Sequence, residues 1–97
     1  MVTYMMLVNL TDQGVKNVKT APERIEASLK ALEQAGGKLI GFWIAVGKYD
    51  YVSIAEIDSD EAALSIAVGL GAQGNVRCES VKLFTKEQFA GIIKMLP

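Results

Sequence analysis

Histidine is absent from this 97-residue sequence, which also has only one cysteine, one tryptophan and two prolines. Without histidine the chain lacks the most common general base and metal ligand. It also lacks the residue that usually serves as the axial ligand of haem. The single cysteine, Cys78, excludes a disulfide within the chain, which favours a reducing, cytoplasmic setting. We interpret Cys78 as a small buried hydrophobic residue rather than a reactive thiol.

The sequence also lacks an excess of charge of either sign and any long apolar run. Ten basic and eleven acidic residues give a formal net charge of -1, so neither nucleic acid nor a membrane surface is an expected partner. No apolar run approaches the roughly 18 residues that span a bilayer. The opening MVTYMMLV lacks the basic start of a signal peptide, so we expect no such peptide.

Apolar residues are abundant in a chain that has room for one domain. They make up 51% of the sequence, and the mean hydropathy is +0.25. A small domain buries a modest share of its surface, so this content predicts apolar surface that faces a partner subunit. A homodimer, or an assembly of dimers, is therefore expected.

Strand-like runs and helical periodicities alternate along the chain. Pro22 suits the first turn of a helix that Gly36 and Gly37 terminate, and Thr85 with Gln88 fits the capping box of a C-terminal helix. This helix is expected to dock on other apolar surface. The predicted strands cover 3–10, 38–46, 51–57 and 75–84, and the helices cover 22–35, 58–71 and the residues after 85. The order is a split β-α-β arrangement, which predicts an α+β fold with an antiparallel sheet.

The segment GKYD, residues 47–50, is predicted to turn a hairpin through a loop of two or four residues. Alternation then places Ile40, Phe42, Ile44, Val46, Tyr51, Ser53, Ala55 and Ile57 on one face, and Trp43, Ala45, Asp50, Val52, Ile54 and Glu56 on the other. Both faces are largely apolar, so both are expected to be covered. Trp43 is the candidate residue for the face that joins two copies.

The segment GLGAQG matches the G-x-G-x-x-G pattern of dinucleotide sites through Gly69, Gly71 and Gly74. In such a site the glycines follow a strand and open a helix, whose N-terminus binds the phosphates. Here they are predicted to close a helix and to precede a strand, so a phosphate would meet the negative end of the helix dipole. We expect no NAD and no other cofactor, and we assign the glycines to helix termination.

Acidic residues at positions 58, 60 and 61 suit the start of a helix, where Asp58 or Ser59 is the N-cap. We therefore expect no metal site there. Polar groups on or beside the strands are candidates for orienting a ligand in an apolar cleft, although strand tyrosines often pack with the hydroxyl at the rim. The candidates are Asn9, Tyr49, Asp50, Tyr51, Ser53 and Arg77. For Asp50 we favour a structural role, in which its carboxylate accepts backbone N–H groups of its own turn.

The segments VGKYDYV and GNVRCESV resemble the GYD domain family, which is named after the residues that stand here as Gly47, Tyr49 and Asp50. NLTDQGVKNVK, GGKLIGFW and KLFTKEQF extend the resemblance over nearly the whole chain. The resemblance implies a ferredoxin-like fold that pairs into a dimeric α/β barrel. It supplies no catalytic residues.

Three hypotheses on function remain open at this point. The first is a module that binds a small, mostly apolar molecule between sheet and helices. The second is a cofactor-independent enzyme, similar to monooxygenases or isomerases, that uses the same cleft with tyrosine hydroxyls as acids and Asp50 or Arg77 holding charge. The third is a purely structural oligomer.

Overall fold

The computed structural model describes residues 1–97. Its strands are β1 (Val2–Leu10), β2 (Lys38–Ile44), β3 (Tyr51–Ile57) and β4 (Val76–Leu83), and its helices are α1 (Asp12–Lys16), α2 (Ala21–Gln34), α3 (Asp60–Ala72) and α4 (Lys86–Ile93). A short 3-10 turn, Val18–Thr20, leads into α2. None of the helices has the length and apolar character needed to cross a bilayer.

The four strands form one antiparallel sheet in the order β2-β3-β1-β4. α2 connects β1 to β2, and α3 connects β3 to β4, so each helix crosses over a strand that lies between the two strands it joins. Both helices cover the same face of the sheet, which we call the inner face. The predicted α+β fold is confirmed, and the arrangement is ferredoxin-like.

The register confirms most of the predicted facing of the β2–β3 hairpin. Phe42 pairs with Ser53 on the inner face, and Trp43 pairs with Val52 on the opposite face, which we call the open face. The prediction for Ile40 is wrong, because a β-bulge makes Leu39 rather than Ile40 the partner of Ala55. The indole of Trp43 lies where a side chain on Gly41 would stand, so glycine is needed beside the bulge.

The hairpin loop is longer than predicted. β2 ends at Ile44, and the six residues 45–50 connect it to β3. The N–H of Ala45 donates to the carbonyl of Asp50 at 2.8 Å, which closes the loop, and Gly47 takes φ +132°. Val46 therefore lies outside the strand and is fully exposed.

The helix ends confirm the capping predictions, with one correction at the glycines. Ser59 caps α3 by accepting from the N–H of Ala62, and Thr85 forms the predicted capping box of α4. However, α3 continues through Gly69 and Gly71, and only Gly74 takes a positive φ, at +86°. A Cβ at either helical glycine would meet open space, so neither position forces the helix to stop.

The core is small and lies at one end of the inner face. Ala55, Ile57 and Ala63 form its buried cluster, with Leu32 and Ile66 packed around them. Only seven of the 97 residues are buried, and the open face has no cover within the chain. The expectation that both faces are covered is therefore met only on the inner face.

The C-terminal helix α4 makes no substantial contact with the rest of the chain. Phe89 is 59% exposed, Ile92 41% and Ile93 46%, so the apolar stripe that these three residues form on α4 faces solvent. The radius of gyration is 14.9 Å, whereas about 12.5 Å is usual for a compact domain of this length. The docking expected of this helix is not found within the chain.

Candidate functional site

A cavity of about 90 Å³ lies between the inner face of the sheet and the helices. Nine of its fourteen lining residues are hydrophobic. β1 contributes Met6 and Val8, β2 contributes Phe42, and α2 contributes Ile25. The period of two along each strand and the helical period of α2 bring these side chains to one space. This cavity thus lies at the end of the inner face near Tyr51, and the buried cluster lies at the end near Ile57.

Two serines lie among the residues that line this apolar space. Ser53 is central in β3, and Ser28 lies across from it on α2. Both also line a second cavity of about 70 Å³ on the side of the packed cluster, together with Met6 and Leu70. A larger apolar side chain at either serine would fill space that the structure leaves open. The serines therefore define the shape of the cavity and supply hydroxyl groups to it.

One guanidinium lies at the mouth of the cavity. Arg24 on α2 lines both this cavity and the groove of about 430 Å³ between α2 and α3. Its Nη1 donates to the carbonyl of Asn17 at 3.0 Å and to Thr20 Oγ1, and these bonds hold the side chain beside the 3-10 turn. Gln73 and Asn75 complete the polar rim.

Hydrogen bonds between two segments that are distant in sequence form this rim. Thr11 donates its hydroxyl hydrogen to the carbonyl of Gly74, and its N–H donates to the carbonyl of Asn75 at 3.0 Å. Gln13 Nε2 donates to Asn75 Oδ1 at 3.1 Å and to the carbonyl of Gln73 at 3.2 Å. The last glycine of GLGAQG therefore serves a backbone contact between the loop after α3 and the start of α1.

Asp50 has a structural partner in a neighbouring strand. Its Oδ2 accepts the N–H of Leu10 at 2.8 Å, and its own N–H donates to the carbonyl of Val8 at 2.9 Å. The carboxylate thus binds the end of β1, whereas we expected the donor within its own turn. The difference arises because β1 lies directly beside β3 in the sheet, so its terminal N–H is within reach of the loop.

Tyr49 forms a hydrogen bond with a residue of β4, the edge strand next to β1. Its hydroxyl donates to Glu79 Oε2 on β4, and this bond, followed by burial, raises the pKa of Tyr49 above its ordinary 10.0. Tyr49 and Asp50 together fasten the loop to the sheet, one through β4 and the other through β1.

The other candidate residues are divided between the two faces. Tyr51 and Ser53 line the cavity, whereas Asn9 and Arg77 pair across β1 and β4 on the open face. Arg77 therefore does not reach the cavity that Ser53 lines. Cys78, beside Arg77 in sequence, is half-buried on the inner face, and burial raises the pKa of its thiol.

The one ion pair of the chain lies outside the cavity. Lys82 Nζ stands 3.0 Å from Asp60, and Tyr4 donates its hydroxyl hydrogen to the same carboxylate at 3.0 Å. The Lys82 bond, followed by the Tyr4 bond, lowers the pKa of Asp60 below 3.8. Asp60, at the start of α3, thus ties that helix to β1 and β4.

Sequence reasoning missed several residues of the cavity, namely Arg24, Ser28, Gln73 and Asn75. Arg24 and Ser28 are four residues apart on α2, on the same side as Ile25, and all three line the cavity. A serine and an arginine beside an apolar residue at helical spacing are the signal that could have identified this side of the helix. Gln73 and Asn75 had no such signal, because their position depends on the contact with Thr11.

The open face presents a second kind of surface. It carries Met5, Leu7 and Val81 from the central and edge strands, with Trp43 51% exposed on β2. Charged residues of both signs lie at its borders, at Arg77, Glu79, Lys38 and Glu56. An apolar centre with a mixed-charge border is typical of surfaces that contact another protein.

The chain is similar in sequence to a known family and to a named protein. The family model of the GYD domain matches residues 4–93. Over 78 residues the chain is 28% identical to a protein of Thermus thermophilus named "Glutamine synthetase and cystathionine beta-lyase binding protein". The match covers 79% of this chain and 82% of that protein. No solved structure matches.

Proposed function

The chain belongs to the GYD domain family, and we propose that it is a small binding module that holds a small, mostly apolar molecule between its sheet and its helices. The observation that carries this proposal is the cavity of about 90 Å³ that Phe42, Ile25 and Met6 line together with the polar side chain of Ser53. Ligand pockets are concave and mostly apolar, with a few polar groups that fix orientation.

The placement of the serines supports a ligand rather than an accident of packing. Empty space in a core costs stability in proportion to its volume, and valine at Ser53 or Ser28 would occupy part of it. In a domain with only seven buried residues, such a loss weighs heavily. A bound molecule would restore the missing contacts.

A cofactor-independent enzyme that uses the same cleft is the alternative. Of the acid and charge-holding groups first considered, Tyr51 lines the cavity, whereas Asp50 is engaged with the N–H of Leu10 and Arg77 lies on the open face. An enzyme here would therefore depend on Tyr51 as its acid, with Arg24 as the charged group. This smaller set of groups favours binding over catalysis.

A protein partner is a second candidate, because the Thermus thermophilus relative is named as a binding protein of two enzymes. We propose that the open face serves protein contacts of this chain, and that a second copy is its first occupant. The accessible surface is 6789 Å², whereas about 5,400 Å² is usual for a monomer of 10.5 kDa. The excess is roughly 1,400 Å², more than the ~800 Å² that each partner buries in a standard interface.

A homodimer joined through the face that bears Trp43 would therefore cover surface that this chain leaves exposed. Closure of two such sheets gives the dimeric α/β barrel that the resemblance implies. A reducing compartment such as the cytoplasm suits its half-buried thiol, Cys78.

A thermal-shift screen of small metabolites and model compounds tests the binding proposal. Compounds that fit the cavity should raise the unfolding temperature in a saturable way, since a ligand of the native state stabilises it by mass action. Incubation of each hit with the protein, followed by mass spectrometry of the compound, separates binding from turnover. A screen in which no apolar compound shifts the transition would contradict the proposal.

A further inference from the structure

Arg24 is the only charged residue that lines the cavity, and we propose that the cavity takes a small monocarboxylate whose carboxylate group binds this guanidinium. The apolar part of the molecule would lie among Met6, Ile25 and Phe42. This inference rests on the small-molecule binding proposed above and adds the chemical class of the ligand.

No carboxylate of the chain neutralises Arg24. Neither of the two cavities that it lines contains an aspartate or glutamate, and the one ion pair of the chain joins Lys82 to Asp60. The partners of Nη1 are the neutral oxygens of Asn17 and Thr20. These bonds hold the guanidinium in place while its Nε and Nη2 hydrogens remain for a ligand. A guanidinium held in place in this way is a matching partner for a carboxylate, since it can donate two parallel hydrogen bonds.

The remaining polar groups of the cavity select against a positive charge on the ligand. They are the neutral side chains of Ser28, Ser53, Gln73 and Asn75, with the hydroxyl of Tyr51. An ammonium group placed among them would be half-buried without an anionic partner, which is costly. The ligand class is therefore a simple carboxylic acid rather than a zwitterionic amino acid or an amine.

The size of the cavity limits the apolar part. A cavity of about 150 Å³ takes a benzene-sized molecule of six non-hydrogen atoms. The cavity of about 90 Å³ and its neighbour of about 70 Å³, which share Ser28, Ser53 and Leu70, together offer a similar volume. The ring of benzoate and the alkyl chain of hexanoate fit this space when the carboxylate lies at Arg24.

Matched pairs of ligands test the inference on the wild-type protein. Calorimetry with hexanoate against hexanamide, and benzoate against benzamide, compares molecules of the same shape that differ in charge. We expect each carboxylate to bind roughly tenfold more tightly than its amide, since a charge-assisted bidentate pair is stronger than a neutral hydrogen bond. Amides that bind as tightly as the acids would overturn the carboxylate inference and leave the apolar pocket standing. Absence of binding by every compound would overturn both.

Variants at Arg24 test whether this residue causes the preference for the carboxylate over the amide. Arg24→Gln should abolish the preference for the acid, and Arg24→Lys should restore part of it, because lysine keeps the charge without the planar fork. Lys30→Gln removes the same charge from an exposed position of α2 and should leave the preference unchanged. An acid preference that survives in Arg24→Gln would contradict the assignment to this residue.

Discussion

At the scale of single residues, the residues of the family motif hold the loop between β2 and β3 against the sheet. Asp50 accepts the N–H of Leu10, and Tyr49 binds Glu79 on the edge strand β4. Gly47 permits the loop conformation that precedes them, at a φ of +132° that other residues rarely adopt. These contacts give each of the three motif residues a structural role that does not require a ligand.

Substitution of Asp50 by asparagine should lower the free energy of unfolding by about 1 kcal/mol, because a neutral acceptor replaces a charged one at the N–H of Leu10. Asp50→Ala should cost about 2 kcal/mol, since that N–H then has no acceptor. Urea unfolding measures both, and Asp58→Asn at an exposed position is the control. Unchanged stability of Asp50→Asn with loss of ligand binding would instead make Asp50 a site residue.

The Tyr49–Glu79 bond predicts how stability depends on alkaline pH. The bond raises the pKa of Tyr49 above 10.0 in the folded chain, so the folded state favours the protonated hydroxyl. The contribution of this bond to the free energy of unfolding is fully present below pH 10. It is lost as the pH rises through the pKa of Tyr49 in the folded state. In Glu79→Gln the tyrosinate absorbance should appear at lower pH, and the same titration of Tyr49→Phe identifies the signal. A titration curve that Glu79→Gln leaves unchanged would contradict this bond.

The sequence allowed the type of role of Asp50 to be predicted, but not its partner. A carboxylate at a chain reversal accepts backbone N–H groups in any fold, whereas the choice of Leu10 requires knowing that β1 is the neighbour of β3. Arg24 illustrates the same limit. A charged residue on an amphipathic helix is expected to be solvated until the tertiary structure places it beside a cavity.

At the scale of secondary-structure elements, most boundaries followed from local chemistry. The caps Thr11, Ser59 and Thr85 begin α1, α3 and α4 because their side-chain oxygens accept N–H groups of the first turn. The end of α3 was predicted within one residue, at 71 against Ala72, but only one of the three glycines has the role assigned to it. Gly69 and Gly71 weaken a helix without ending it, and the turn requires the positive φ of Gly74.

Alanine substitutions distinguish these glycines. Gly69→Ala should stabilise the chain by up to about 1 kcal/mol, because alanine favours the helix and its Cβ meets open space. Gly74→Ala should destabilise it by about 1–2 kcal/mol, since its φ of +86° is strained for alanine. Thermal unfolding with matched circular dichroism provides both values. Destabilisation of similar size at both positions would contradict the helical assignment of Gly69.

At the scale of the whole molecule, the chain exposes more surface than a monomer of its size usually does, and sixteen of its large hydrophobic residues are exposed. The open face and the stripe of α4 are both uncovered, and the indole of Trp43 lies over Gly41 on that face. Local chemistry specifies each strand and helix, but no part of this chain covers the open face. The sequence nevertheless indicated a partner and, through Trp43, the face that would contact it.

The proposed dimer predicts different effects for two neighbouring residues of β2. Trp43→Arg places a charge on the open face and should produce a monomer, whereas Ile44→Arg places it on the other side, at a residue 68% exposed, and should leave the dimer intact. Light scattering at about 10 µM gives the mass of each, since the dimer fraction depends on concentration. A monomeric wild-type protein, or equal effects of both variants, would contradict an interface at this face.

The central claim is that the cavity at the end of the inner face near Tyr51 is kept open for a ligand, and Ser53→Val tests it most directly. Valine would fill part of the space beside Met6 and Phe42 and remove a hydroxyl from an apolar setting. The decisive measurement is the unfolding temperature of wild type and Ser53→Val, each with and without the best compound of the screen. We predict that Ser53→Val unfolds at a higher temperature than the free wild type and no longer responds to the compound. A variant that is less stable, or that responds as fully as the wild type, would contradict the claim.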